Sequence, residues 1–141
     1  MALTRAEREQ FLAEPHVAAL AVDAAEGRAP LTVPIWYQYA PGGDLWIMTG
    51  RDSRKGTAIA RAGRFSLMAD RVEPTIRYVS VEGPVVATLP ATREQLVEIA
   101  SRYLPAEKVD GYVDYAWKEH GEQVVIHMRP ERWLSSDLGN L

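Results

Sequence analysis

Short apolar runs of strand length alternate along the chain with amphipathic stretches of helical period, and turn residues separate nearly all of them. Thr4-Arg-Ala-Glu7 matches a capping box, in which Thr4 and Glu7 satisfy each other's helix-end donors. It predicts a helix from about 5 to 13, anchored by Phe11 and Leu12 and closed by Pro15. His16–Val22 is a near-continuous apolar run, the pattern of a strand buried on both faces. Asp23–Arg28 is a turn. Residues 30–40 then read as one long strand. Leu31, Val33, Ile35, Tyr37 and Tyr39 fall on one face, and Thr32, Pro34, Trp36 and Gln38 on the other. Pro41-Gly42-Gly43 signals a hairpin turn, from which residues 44–49 return antiparallel.

Ser53 is placed to cap a helix over 54–62 that Gly63 ends. Residues 64–69 form a further strand, and 77–89 a long one bent at Gly83-Pro84. Thr92–Leu104 carries Leu96, Ile99, Ala100 and Tyr103 at helical spacing, and 106–119 carries Val109, Val113 and Trp117. Residues 123–128 make the last core strand before an irregular tail. Six strands interrupted by short helices predict a mainly β fold, a small antiparallel barrel with helices packed on it. No repeat, low-complexity segment or linker interrupts the pattern, so residues 1–141 are read as one domain.

Composition narrows the function classes. The net charge of -3 argues against nucleic acid as a partner, because that needs a broad basic surface. The charge is uneven: residues 51–77 hold seven bases and three acids, a local +4, which leaves -7 elsewhere. That asymmetry favours a small anionic ligand. The absence of cysteine excludes disulfides, thiolate catalysis and cysteine-based zinc sites. No apolar run reaches the ~20 residues that span a bilayer, and the charged N-terminal stretch lacks the core of a signal peptide. The expectation is a cytoplasmic protein without a membrane span.

The chemistry concentrates in two places. Arg51, Arg54 and Lys55 crowd around Ser53 at a strand-to-helix junction. A capped helix start with free N–H groups and added bases suits a phosphate; a capped helix with solvated bases is the plainer reading. The P-loop spacing is absent, as is a G-x-G-x-x-G turn. Pro34 breaks a strand among Trp36, Tyr37 and Tyr39, so this segment is either an edge strand packed on the core or a break that receives a flat ring. His16, His120 and His127 match no metal-ligand spacing, and Glu82 reads as the partner of a nearby Arg.

The order VPIWY, GGDLWIMT, SRKG, RFSLM, YVSVEGPV resembles the pyridoxamine 5'-phosphate oxidase-like, FMN-binding split-barrel superfamily, and within it the actinobacterial flavin/deazaflavin oxidoreductases of the B type. The resemblance covers roughly residues 5–130, with the part after 90 matching only in layout. It implies a six-stranded split β-barrel, a homodimer and two cofactor sites at the subunit interface. It implies that Thr49, Ser53, Arg54 and Lys55 hold the cofactor phosphate, with Arg51 as an extra clamp. Val33, Pro34, Ile35 and Trp36 line the ring, Tyr78 and Val79 contribute from a nearby strand, and Trp133 reaches the partner's site.

The implied activity is an oxidoreductase that uses reduced coenzyme F420 on a flat, conjugated small molecule. Catalytic residues are not identified by the resemblance; Tyr37, Tyr39 and Tyr78 are candidate proton donors. FMN is the alternative cofactor. It ends in one phosphate, whereas F420 continues into a carboxylate-bearing tail, which the bases of 51–77 suit better. A non-catalytic flavin-, F420- or haem-binding protein is the other alternative, and no metal site is expected.

Overall fold

The computed structural model describes residues 1–139. Its elements run α1 (Arg5–Ala13), β1 (Ala18–Val22), β2 (Leu31–Ile35), β3 (Tyr37–Tyr39), β4 (Leu45–Gly50), α2 (Arg54–Ala62), β5 (Arg64–Arg71), β6 (Arg77–Pro90), α3 (Arg93–Tyr103), α4 (Ala106–Glu119), β7 (Gln123–Met128) and β8 (Arg132–Asp137). The strands pair antiparallel in the order β2-β1-β5-β6-β7-β4-β3, and β8 adds to β6. The result is a mainly β, curled antiparallel split barrel with short helices packed on it.

Two expectations change. The stretch 30–40 is two strands, because Trp36 leaves the ladder. β2 pairs with β1 and β3 with β4, so the two ends of the sheet path are neighbours in sequence. The sheet closes on itself through the covalent chain at Trp36, where it has no hydrogen-bonded seam. Pro34 sits in edge strand β2, where a missing donor costs no ladder bond. The second change is the tail: residues 132–137 form β8, which registers Trp133 against Val81 and Ser136 against Tyr78. The strand count is therefore eight where six were expected.

The barrel interior is filled by Leu20, Leu45, Ile47, Leu67, Val79, Val81, Ile126 and Met128, with Phe11 and Leu12 of α1 and Ile59 of α2 packed against them. Both helices begin as their sequences dictate. The Thr4–Glu7 capping box is formed, and Ser53 Oγ accepts the Gly56 N–H at 3.0 Å. Gly63 ends α2 at φ 72°, in the left-handed region. A second apolar cluster lies between α3 and α4: Leu96, Ile99, Ala100, Val109, Val113 and Ala116. Trp117, expected to anchor α4, is 39 % exposed, and Ala116 takes the inward position.

β6 bends at Gly83-Pro84, where its outer neighbour changes from β8 to β7. The β7–β8 turn crosses there, with Arg129 N–H donating to the Pro84 carbonyl and Glu131 N–H to that of Glu82. A Cβ on Gly83 would stand 1.8 Å from the Arg129 carbonyl oxygen, so glycine is required by close approach.

A candidate cofactor cleft

The Trp36 break, the end of β4 and the start of α2 meet the α3–α4 hairpin around a cleft of about 520 Å³. This is the size of a small-molecule site, which runs from roughly 300 to 1,000 Å³. Pro34, Ile35 and Trp36 line one wall, Met48 and Thr49 the floor, and Leu96, Ile99 and Tyr112 the opposite wall. Ser53, Lys55, His120 and Gln123 bring polar groups to one end.

The polar end is built by β4 running straight into α2. Ser53 Oγ donates to the Gly50 carbonyl at 2.8 Å and accepts from Gly56 N–H. Its single proton is thereby committed, so Thr49 Oγ1, 3.0 Å away, is the donor of their bond. Ser53 N–H bonds to the Gly50 carbonyl, which leaves the Arg54 and Lys55 N–H groups without an acceptor among the described residues. Gly56 lets the helix start sit this close: a Cβ there would stand 2.5 Å from the Gly50 carbonyl oxygen.

The basic surplus of 51–77 is dispersed. Arg51 Nε donates to Glu122 Oε1 at 2.9 Å, which ties the β4–α2 turn to the start of β7. Arg64 faces Glu82 and Glu131 at 3.7 and 3.6 Å, as expected for Glu82. Arg71 and Arg77 converge on Asp137, and Arg61 donates to the Asp23 carbonyl. Arg54 and Lys55 alone of the seven have no protein partner among the described residues, and Lys55 is the one that lines the cleft.

The aromatic wall is held from behind. The Trp36 ring stacks on Tyr103, with centroids 4.8 Å apart and planes within 10°, and tilts against Tyr112 at 5.6 Å. The Tyr103 hydroxyl accepts Tyr37 N–H at 3.2 Å and reaches the His16 carbonyl at 2.8 Å. Arg102 donates to the carbonyls of Tyr37, Ala13 and Glu14 at 2.8, 2.7 and 2.9 Å. The end of α3 thus fixes the strand break by bonding backbone that the ladder leaves free.

Of the twelve residues expected at the site, Pro34, Ile35, Trp36, Thr49, Ser53 and Lys55 come together in this cleft. Arg51 and Arg54 flank it. Val33 pairs with Leu20 and packs against the barrel core, bordering a shallower depression on the outer face of β1, β2 and β5. Tyr78 stands on that same sheet face, opposite Asp70 and Ser136, while Val79 is buried in the core. Trp133 turns inward to meet Tyr39 edge-on at 6.1 Å.

The Tyr37 and Tyr39 hydroxyls also point away from the cleft. Tyr37 donates to the Leu12 carbonyl at 2.7 Å, and burial raises its pKa strongly. Tyr39 bonds Glu9, and burial followed by that carboxylate pushes it up to about 12. The tyrosine that does line the cleft is Tyr112, whose pKa burial also raises, so it stays protonated near neutrality. Sequence reasoning passed over Tyr112, Leu96 and Ile99 because their helix pattern explains itself as packing, and it weighed His120 only as a metal ligand.

The sequence profile of the family described as pyridoxamine 5'-phosphate oxidase matches residues 4–137. Among solved structures, the conserved hypothetical protein Rv2991 from Mycobacterium tuberculosis superposes with a TM-score of 0.72 at 23 % identity, over 97 % of this chain and 86 % of that one. A protein titled F420 reductase superposes at 0.70 and 22 %, over 89 % and 94 %. A FAD-binding protein from Mesorhizobium loti does so at 0.68 and 19 %, over 99 % and 98 %. No curated protein matches the sequence. With its profile match spanning nearly every described residue and its split barrel shared by these structures, the chain belongs to the pyridoxamine 5'-phosphate oxidase family.

Proposed function

We propose that this protein is an oxidoreductase that holds coenzyme F420 in the cleft between the Trp36 break and α3–α4. The observation that carries the reading is the start of α2, where the Arg54 and Lys55 N–H groups and the Lys55 side chain have no partner among the described residues, at one end of a cleft walled by apolar and aromatic groups. That donor set fits a phosphate, and the walls of Trp36, Ile35 and Leu96 fit a flat ring. When bound in reduced form, F420 supplies a hydride to an electron-poor conjugated molecule. Thr49 and Ser53 orient the helix start, Lys55 neutralises the phosphate, and the α3–α4 wall excludes water. Tyr112, kept protonated by burial, donates a hydrogen bond or proton within the cleft.

The choice of F420 over FMN is supported by the F420 reductase at TM-score 0.70 and by Arg54, exposed beside Lys55 and available to a longer anionic tail. A single phosphate satisfies the two N–H groups equally well, which keeps FMN as the second reading. Val17 and Pro34 line both the cleft and the adjoining outer depression, so the cleft opens onto that sheet face. A homodimer packed through this face covers the open side, with Tyr78 on the same face available to the neighbouring site.

Separate fluorescence titrations of the full chain with F420 and FMN test the reading. F420 is expected to bind in the micromolar range, about -8 kcal/mol, and FMN more weakly. Tighter binding of FMN moves the assignment to FMN; binding of neither removes the cofactor reading.

A further inference from the structure

At the opposite end of the β4–β7 ladder from the cleft, a second cavity of about 240 Å³ opens between α1, the Pro41–Gly43 turn and the β7–β8 turn. The ladder runs from Gly50 and Gln123 at the cleft to Leu45 and Met128 beside this cavity, about 17 Å at the usual strand rise. Arg5, Arg8 and Arg129 border it, with Tyr39 and Trp133. Arg5 is engaged by Glu9 at 2.9 Å. Arg129 meets Glu131 only at 3.9 Å and is 61 % exposed. Arg8 lies over Trp133, its guanidinium carbon 4.7 Å from the ring centre, and its Nε is buried with no acceptor among the described residues.

Two acids face the cavity, Glu9 and Asp44. Glu9 is saturated: Oε1 accepts the Tyr39 hydroxyl at 3.1 Å and Gly42 N–H at 2.7 Å, and Oε2 accepts Arg5 Nε. Asp44 is exposed at the rim and forms no ion pair among the described residues. The three bases and two acids that line the cavity leave one positive charge there, and the Arg8 guanidinium has no acceptor among the described residues. An oxyanion in the cavity gives its terminal N–H groups a charge-assisted partner. The small volume excludes a large ligand.

We infer that this cavity binds a small oxyanion, a carboxylate or a phosphate group, held by Arg8 and Arg129 beside Trp133. The site is separate from the cofactor cleft and does not depend on the reading of that cleft.

The test is isothermal titration of the full chain carrying Lys55→Ala, which weakens anion binding at the α2 end, with sodium phosphate and separately with sodium acetate at constant ionic strength. One saturable site per chain is expected, and the tighter of the two salts identifies the oxyanion. Adding Arg8→Gln is expected to weaken it about tenfold or more, the loss of one charge-assisted bond. Arg129→Gln, at an exposed position, must weaken it too and keeps the test open if Arg8→Gln fails to fold. No saturation below about 20 mM, near -2 kcal/mol of binding, overturns the site. Binding that survives both substitutions marks an adventitious ion only and also overturns it. Neither outcome touches the F420 titration of the unmodified chain.

Discussion

Lys55 and Arg54 are adjacent bases with different surroundings, and that difference is measurable. Lys55 lines the cleft and has no hydrogen-bond or ion-pair partner among the described residues, so its ammonium is available to an anion there. Lys55→Ala is expected to weaken cofactor binding about ten- to a hundredfold, the worth of one charge-assisted hydrogen bond of roughly 1.5–3 kcal/mol. Its melting temperature should hardly move, because no hydrogen bond or ion pair among the described residues is lost. Arg54→Ala, outside the cleft, should cost about threefold or less for F420 and nothing for FMN. Equal affinity in Lys55→Ala and the parent removes the phosphate from α2. Asp137 is one carboxylate whose protonation bears on the fold. Gly139 N–H first, then Arg77 and Thr75, hold its pKa down from 3.8 to about 2. A depressed carboxylate contributes stability that is complete above the unfolded value and disappears as pH falls through the folded one. The contribution is therefore full above about pH 4 and lost toward pH 2. Asp137→Asn should flatten this acid limb in denaturation followed by circular dichroism; an unchanged limb assigns it to other carboxylates.

The elements divide by the range of the forces that make them. α1 and α2 were legible because their caps are local: Thr4 with Glu7, and Ser53 with Gly63, lie within one helix each. The Trp36 break was not, because periodicity continues smoothly through residues 31–39 on both sides of it. What breaks the strand is distant: Tyr103 and Arg102 take the Tyr37 N–H and carbonyl, across 66 and 65 residues of sequence. β8 escaped notice for the opposite reason, since Arg132–Asp137 is polar at most positions and reads as tail. The same distinction governs the site. Its polar end was written locally in SRKG, whereas its far wall comes from α3 and α4, whose apolar positions look like ordinary core. Tyr103→Phe keeps the Trp36 stack but orphans Tyr37 N–H, and should cost about 1–3 kcal/mol in urea denaturation. Gly83→Ala should be worse, about 3 kcal/mol or more, because the obstacle is the Arg129 backbone and not a movable side chain. A stable Gly83→Ala variant contradicts this account of the β6 bend.

For the whole molecule, the proposed cofactor cleft and the proposed dimer interface share the outer sheet face. Pro34, Ala19, Met68, Ser80 and Leu134 are paired in one row across β2, β1, β5, β6 and β8, opposite the buried row of Leu20 and Leu67. Met68, Leu134 and nearby Val17 are 36, 65 and 59 % exposed, an apolar strip bordered by the cleft mouth. Light scattering is expected to give twice the 15.7 kDa chain mass, and Leu134→Glu to halve it while weakening the cofactor. A monomer in the parent protein contradicts the interface and with it the shared site. β6 carries a different consequence. Its first half completes the ladders of β5 and β8, and its second half that of β7, so neither side of the barrel retains a full set of partners once the other is lost. The halves cannot melt in turn. A calorimetric scan should record one barrel transition, and the slowest-exchanging amides should lie along β6 on both sides of Gly83.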